Sequence, residues 1–78
     1  MTRKPYDDEV IGRLAYNLKT LREKRGLTQG KLNRRCKFKT GFVKDIEDRM
    51  KNASVANLEA LCLALDCSAY ELLKPLRH

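Results

Sequence analysis

Two short apolar sets, Leu32 with Cys36 and Val43 with Ile46, sit at helical spacings of four and three on either side of a break near Lys37 and Phe38. Each spacing places its pair on one face of a helix. Neither helix could persist alone, because isolated helices shorter than about 12–15 residues are marginal in water. They must lean on each other and on a larger apolar surface. The stretch Leu27–Glu47, LTQGKLNRRCKFKTGFVKDIE, therefore predicts two short helices meeting at a tight turn, the first capped by Thr28 and the second beginning at Lys39 or Thr40.

The rest of the chain can supply that surface. Ile11, Leu14, Leu18 and Leu21 recur at intervals of three, four and three, behind the acidic run Asp7, Asp8, Glu9. They predict a first helix over Asp8–Arg25, stopped by Gly26 with Lys24 and Arg25 in its last turn. Burying four such side chains contributes roughly 1.5–3 kcal/mol each before entropy, which lets so short a chain fold. Beyond a polar loop over Met50–Ala53, Ser54 caps a fourth helix packed through Val55, Leu58, Leu61, Cys62 and Leu65. Ser68 with Glu71 forms the capping box of a fifth, whose apolar residues are Leu72, Leu73 and Leu76 and which Pro75 ends. The fold class is all-α with five helices, and residues 1–78 form a single domain whose first six residues are expected to be a flexible, solvated arm.

Several function classes are disfavoured. In 78 residues there is little room for an enzyme cleft, and the single His78 at the chain end cannot build a triad or a metal site, so no catalysis and no cofactor are expected. Cys36, Cys62 and Cys67 are an odd number without CxxC spacing, which suggests neither a disulfide framework nor zinc and fits a reducing cytosol. No apolar run approaches the roughly 20 residues that span a bilayer, and no signal peptide is visible, so no membrane partner is expected.

Charge points to a partner. The net charge is +7, and its distribution matters more than its size: residues 1–27 carry +3, residues 28–52 carry +5, and residues 53–78 carry −1. The maximum falls on the paired short helices. A polyanion follows naturally, because neutralised phosphates release counterions and supply much of non-specific affinity. Two helices at a tight turn with basic residues around the second have the shape of a major-groove DNA reader.

The marks Leu18, Leu21-Arg22, Gly26-Leu27-Thr28-Gln29 and Leu32, then Val43 and Ile46-Glu47, then Asn52-Ala53-Ser54, Leu58, Leu61 and Ala64-Leu65 run without a gap from about Ile11 to Leu73. As a set they resemble the lambda-repressor-like (XRE or Cro type) helix-turn-helix regulators, whose fold is a five-helix bundle. The size and the loop after the third helix also look like the small controller proteins of restriction-modification systems, and phage regulators fit almost as well. The resemblance implies a sequence-specific regulator of transcription, repressor or activator, that binds double-stranded DNA as a homodimer on a pseudo-palindromic operator. It would work in a bacterial or phage-infected cytoplasm, on the nucleoid, with RNA polymerase as a further contact. It also implies base readout by Thr40, Gly41, Lys44 and Asp45, a phosphate held by Gln29, and a structural salt bridge between Arg22 and Glu47.

Lys39, Arg49, Lys51 and Asn52 flank the second short helix, where phosphates beside the groove would lie. Some of Arg34, Arg35 and Lys37 are expected to be only solvated. Phe38 reads as core, and Phe42 as core or as a contact to thymine methyls. The least basic end offers Tyr70, Leu73 and Leu76 for pairing with a second copy, while Leu72 closes the monomer's own core.

Three residues depart from the family pattern. Asn33 stands where Ala usually lets the short helices approach, Lys37 where Gly usually makes the turn, and Gly41 inside the expected recognition helix, at a cost of roughly 1 kcal/mol against Ala. Gly41 and Asp45 also support a rival reading: an antitoxin-like or adaptor domain that keeps the fold and binds another protein.

Overall fold

The computed structural model describes residues 8–76, which form five helices: α1 (Asp8–Lys24), α2 (Gln29–Cys36), α3 (Phe42–Glu47), α4 (Val55–Leu65) and α5 (Ala69–Leu73). The arm expected over residues 1–6 lies outside the described residues. The helix starts are chemically explicit. Thr28 Oγ1 accepts from the Lys31 N–H at 3.1 Å, while Ser54 with Asn57 and Ser68 with Glu71 close full capping boxes. Asn57 in the first box is a partner that the sequence reading did not name. Gly26 ends α1 at φ +70°, with the Leu27 N–H returning to the Arg22 carbonyl at 3.1 Å.

α1 packs against α3 and α5, α2 against α3 and α4, and α4 meets α5. Their shared core is Leu14, Leu18, Leu27, Leu32, Val43, Ile46, Leu61, Leu65 and Leu72. Each short helix is thus held by at least two neighbours, as their length requires. Val55, expected to pack, is instead 84% exposed, because as the first residue of α4 it lies beyond the edge of that core. Leu63, on the outward side of α4, is 78% exposed and carries no packing role.

Two α1 side chains and one just beyond it, not anticipated as structural, satisfy carbonyls that helix ends leave unpaired. Buried Asn17 donates to the Leu72 and Lys74 carbonyls at 3.0 and 3.1 Å, and Arg13 Nε donates to Leu73 at 2.8 Å. Arg25, just past the helix end, donates from Nε to the Leu65 carbonyl of α4 at 2.9 Å. α5 stops at Leu73 because Lys74 precedes Pro75 and takes an extended conformation, φ −62° and ψ 150°.

Candidate nucleic-acid interface

The turn between α2 and α3 begins with a residue that pays for its position: Lys37 ends α2 in the left-handed region, φ 58° and ψ 38°, where glycine is the unstrained choice. The Phe38 N–H then returns to the Asn33 carbonyl at 3.1 Å and closes the helix end. α3 starts at Phe42, later than the Lys39 or Thr40 expected from the apolar spacing. The reason is Gly41, which sits at φ +83° and is the N-cap of α3 rather than a residue inside it. The interior-glycine cost assigned from sequence therefore does not apply; here glycine relieves strain.

Gly41 has no side chain to cap α3, and Asn33 of α2 takes over that task. Its Oδ1 accepts from the N–H of Val43, the second residue of α3, at 2.8 Å, while its Nδ2 donates to the carbonyls of Phe38 and Lys39. One buried side chain thus joins the end of α2, the turn and the start of α3. Phe38 and Phe42 meet edge to face, ring centroids 4.9 Å apart, and both pack, half-buried, against the core.

A second tie fixes α3 at its other end. Arg22 of α1 donates to Glu47 from Nε at 2.7 Å and from Nη2 at 3.1 Å, and from Nη1 to the Leu27 carbonyl at 2.7 Å. The Glu47 side chain is only 3% exposed. Its carboxylate raises the affinity of the Arg22 guanidinium for its proton, against the opposing effect of burial. Gln29 Nε2 also donates to Glu47 Oε1, at 2.9 Å, so one end of the Gln29 amide is committed to the frame and its second hydrogen is left for another acceptor.

Between these ties lies the outward face. Thr40 and Lys44 are exposed, and Gly41 and Asp45 half-buried. Lys44 Nζ pairs with Asp48 Oδ2 at 2.6 Å one turn further along α3, and that hydrogen bond raises its pKa. Asp48 orients Lys44, and Asp45 adds a weaker attraction; sequence reading overlooked Asp48, although its spacing of four from Lys44 was visible. Lys39 and Lys51 are exposed beside the helix, and Asn52 is half-buried with Oδ1 accepting from the Ala53 N–H at 2.9 Å. Arg49, at φ 63°, lays its guanidinium across Gly12 of α1, about 3.5 Å from where a Cβ would stand. At the opposite edge Tyr70 is 69% exposed and Leu73 and Leu76 are half-buried, and Tyr16 of α1 joins Tyr70 and Leu76 around one open concavity.

Residues 17–75 match the Cro/C1-type HTH DNA-binding domain. A Neisseria hypothetical transcription factor from Neisseria meningitidis serogroup B is 32% identical over 71 residues, which span 91% of this chain and 67% of that protein. The crystal structure of hypothetical transcription factor NHTF from Neisseria superposes with a TM-score of 0.82 at 30% identity, over 96% of this chain and 87% of the other. The restriction-modification controller protein C.AhdI from Aeromonas hydrophila gives 0.75 at 29% identity, over 80% and 94%. The chain belongs to the Cro/C1-type helix-turn-helix DNA-binding family, whose members are transcription regulators and not enzymes. Both the expected family and the five-helix all-α fold are borne out. Among the described residues no helix is long and apolar enough to cross a membrane.

Proposed function

We propose that this protein is a sequence-specific transcription regulator that binds a pseudo-palindromic operator as a homodimer, with residues 1–78 acting as one DNA-binding unit. The observation that carries the reading is a preset α3: Asn33 caps its start and the Arg22–Glu47 pair holds its end, so Lys44 is exposed on a fixed helix and Thr40 in the turn just before it, inside the +5 segment. Thr40 touches a thymine methyl, Lys44 exchanges Asp48 for guanine O6 and N7, Asp45 accepts from cytosine N4, and Gly41 lets DNA approach the backbone. Gln29, Lys39, Arg49, Lys51 and Asn52 meet phosphates. Tyr70, Leu73 and Leu76 form the pairing surface and set the two reading helices about 34 Å apart. Such a protein works in the bacterial cytoplasm, on the nucleoid, within reach of RNA polymerase.

Binding measured on a panel of operator variants tests this. Lys44→Ala changes the order of preference, whereas Lys51→Ala weakens all duplexes alike; identical effects on every sequence remove Lys44 from base readout. The exposed Lys44–Asp48 pair, which occupies the one long donor on α3's outward face, favours a second reading, an antitoxin-like or adaptor domain. A gel shift with no preference for any genomic fragment over random DNA brings that reading forward.

A further inference from the structure

α4 departs from the pattern of a surface helix, which backs its buried stripe with a charged or polar face. Leu58, Leu61, Cys62 and Leu65 turn toward the core, yet the opposite stripe of Ala56, Ala60 and Leu63 is apolar as well, and Glu59 is the one charged residue among the eleven of the helix. Leu63 is 78% exposed. It stands over an open concavity that Ala60 and Ala64 share with Arg35, Cys36 and Lys37 at the end of α2. The Cys36 thiol donates to the Ala60 carbonyl at 3.7 Å and ties the two walls together. No acidic side chain lines the concavity, and no carboxylate among the described residues pairs with Arg35 or Lys37. Lys37 keeps a left-handed backbone, φ 58°, where glycine is the unstrained choice, and such strain points to a use for the side chain.

We infer that this face of α2 and α4 is a docking surface for an amphipathic helix of another protein, its apolar side laid on Leu63 and the two alanines and its acidic flank on Arg35 and Lys37. The sign of the rim decides the occupant. The chain's own first six residues carry Arg3 and Lys4 and no carboxylate, so they do not complement it. A second copy set on this face by a two-fold axis places like residues together and brings further cations to the concavity. A partner with Asp or Glu beside apolar residues at i, i+3 or i+4 and i+7 meets both features at once. Neither the residues assigned to DNA nor Tyr70, Leu73 and Leu76 line this concavity, so the inference goes beyond the DNA-binding reading and does not depend on it.

The test is selection of helical peptides from a random display library on the full chain, followed by fluorescence anisotropy of the selected peptides with wild type, Leu63→Ser and Arg35→Glu/Lys37→Gly. All three positions are exposed and glycine suits the backbone at position 37, so the variants keep the fold, which circular dichroism checks. The expected peptides carry Asp or Glu with apolar residues at helical spacing, bind about tenfold or more weakly to each variant, and lose affinity as salt rises. Selected peptides without carboxylates, equal affinity for wild type and either variant, or a library that yields no binder overturns the inference. Light scattering during gel filtration tests the rival occupant: a wild-type dimer that Leu63→Ser converts to a monomer assigns this face to a second copy and overturns the inference as well.

Discussion

Asn33→Ala is the substitution that most directly probes how the turn and α3 are held. Asn33 is 8% exposed and makes three hydrogen bonds across the α2–α3 junction. Alanine leaves the Val43 N–H buried without a partner, which costs about 1–3 kcal/mol, and removes donors from two carbonyls at roughly 0.5 kcal/mol each. The sum is about 2–4 kcal/mol, against a total stability on the order of 4–12 kcal/mol for a chain of this length. At roughly 4–8 °C per kcal/mol in a domain of this size, the melting temperature falls by about 8–32 °C, read by circular dichroism with urea titration as a second measure. Asn33→Asp keeps an acceptor for Val43 but sets a carboxylate against the Phe38 and Lys39 carbonyls, and it is destabilised at least as much. A loss below about 0.5 kcal/mol for Asn33→Ala refutes the capping role.

Other consequences are as specific. Glu47→Ala strands the Arg22 guanidinium in a buried site and frees Gln29, so stability falls by about 3–5 kcal/mol, measured by urea unfolding. Backbone strain predicts opposite signs at two neighbouring positions: Lys37→Gly relieves a left-handed residue and stabilises by about 1 kcal/mol, whereas Gly41→Ala creates one and destabilises by about 1–2 kcal/mol. Thermal melts of the two variants check this, and shifts in the same direction contradict it. Burial, followed by the neighbouring Cys62, pushes the Cys67 thiol up to about 11. Because the folded value lies above the unfolded one near 9, the contribution is intact below pH 9 and is lost as pH rises through 9–11. Urea midpoints between pH 8 and 10.5 therefore fall more steeply for wild type than for Cys67→Ala, and Cys67 alkylates slowly at pH 8.

The helices with a periodic apolar face and an explicit cap were readable from residues alone, as α1, α4 and α5 illustrate. α3 was harder for a physical reason. Its start is decided by the positive φ of Gly41 and by a cap donated from another helix, and neither leaves a local pattern. The same two residues looked like departures from the family pattern when taken singly. Together they compensate: Asn33 supplies the cap that Gly41 lacks. The Arg22–Glu47 tie was legible only through the resemblance, since a separation of 25 residues carries no periodic signal. The Lys44–Asp48 pair was a local i, i+4 feature that reading for base contacts passed over.

The central claim is that α3 and its basic surroundings read duplex DNA. Fluorescence anisotropy of the intact protein on a duplex selected from a random pool, beside a scrambled duplex, from 50 to 200 mM salt, tests it most directly. The account predicts at least a thousandfold preference for the selected duplex and roughly a thousandfold fall in affinity across that salt range. Equal affinity for both duplexes, or binding that does not respond to salt, contradicts it.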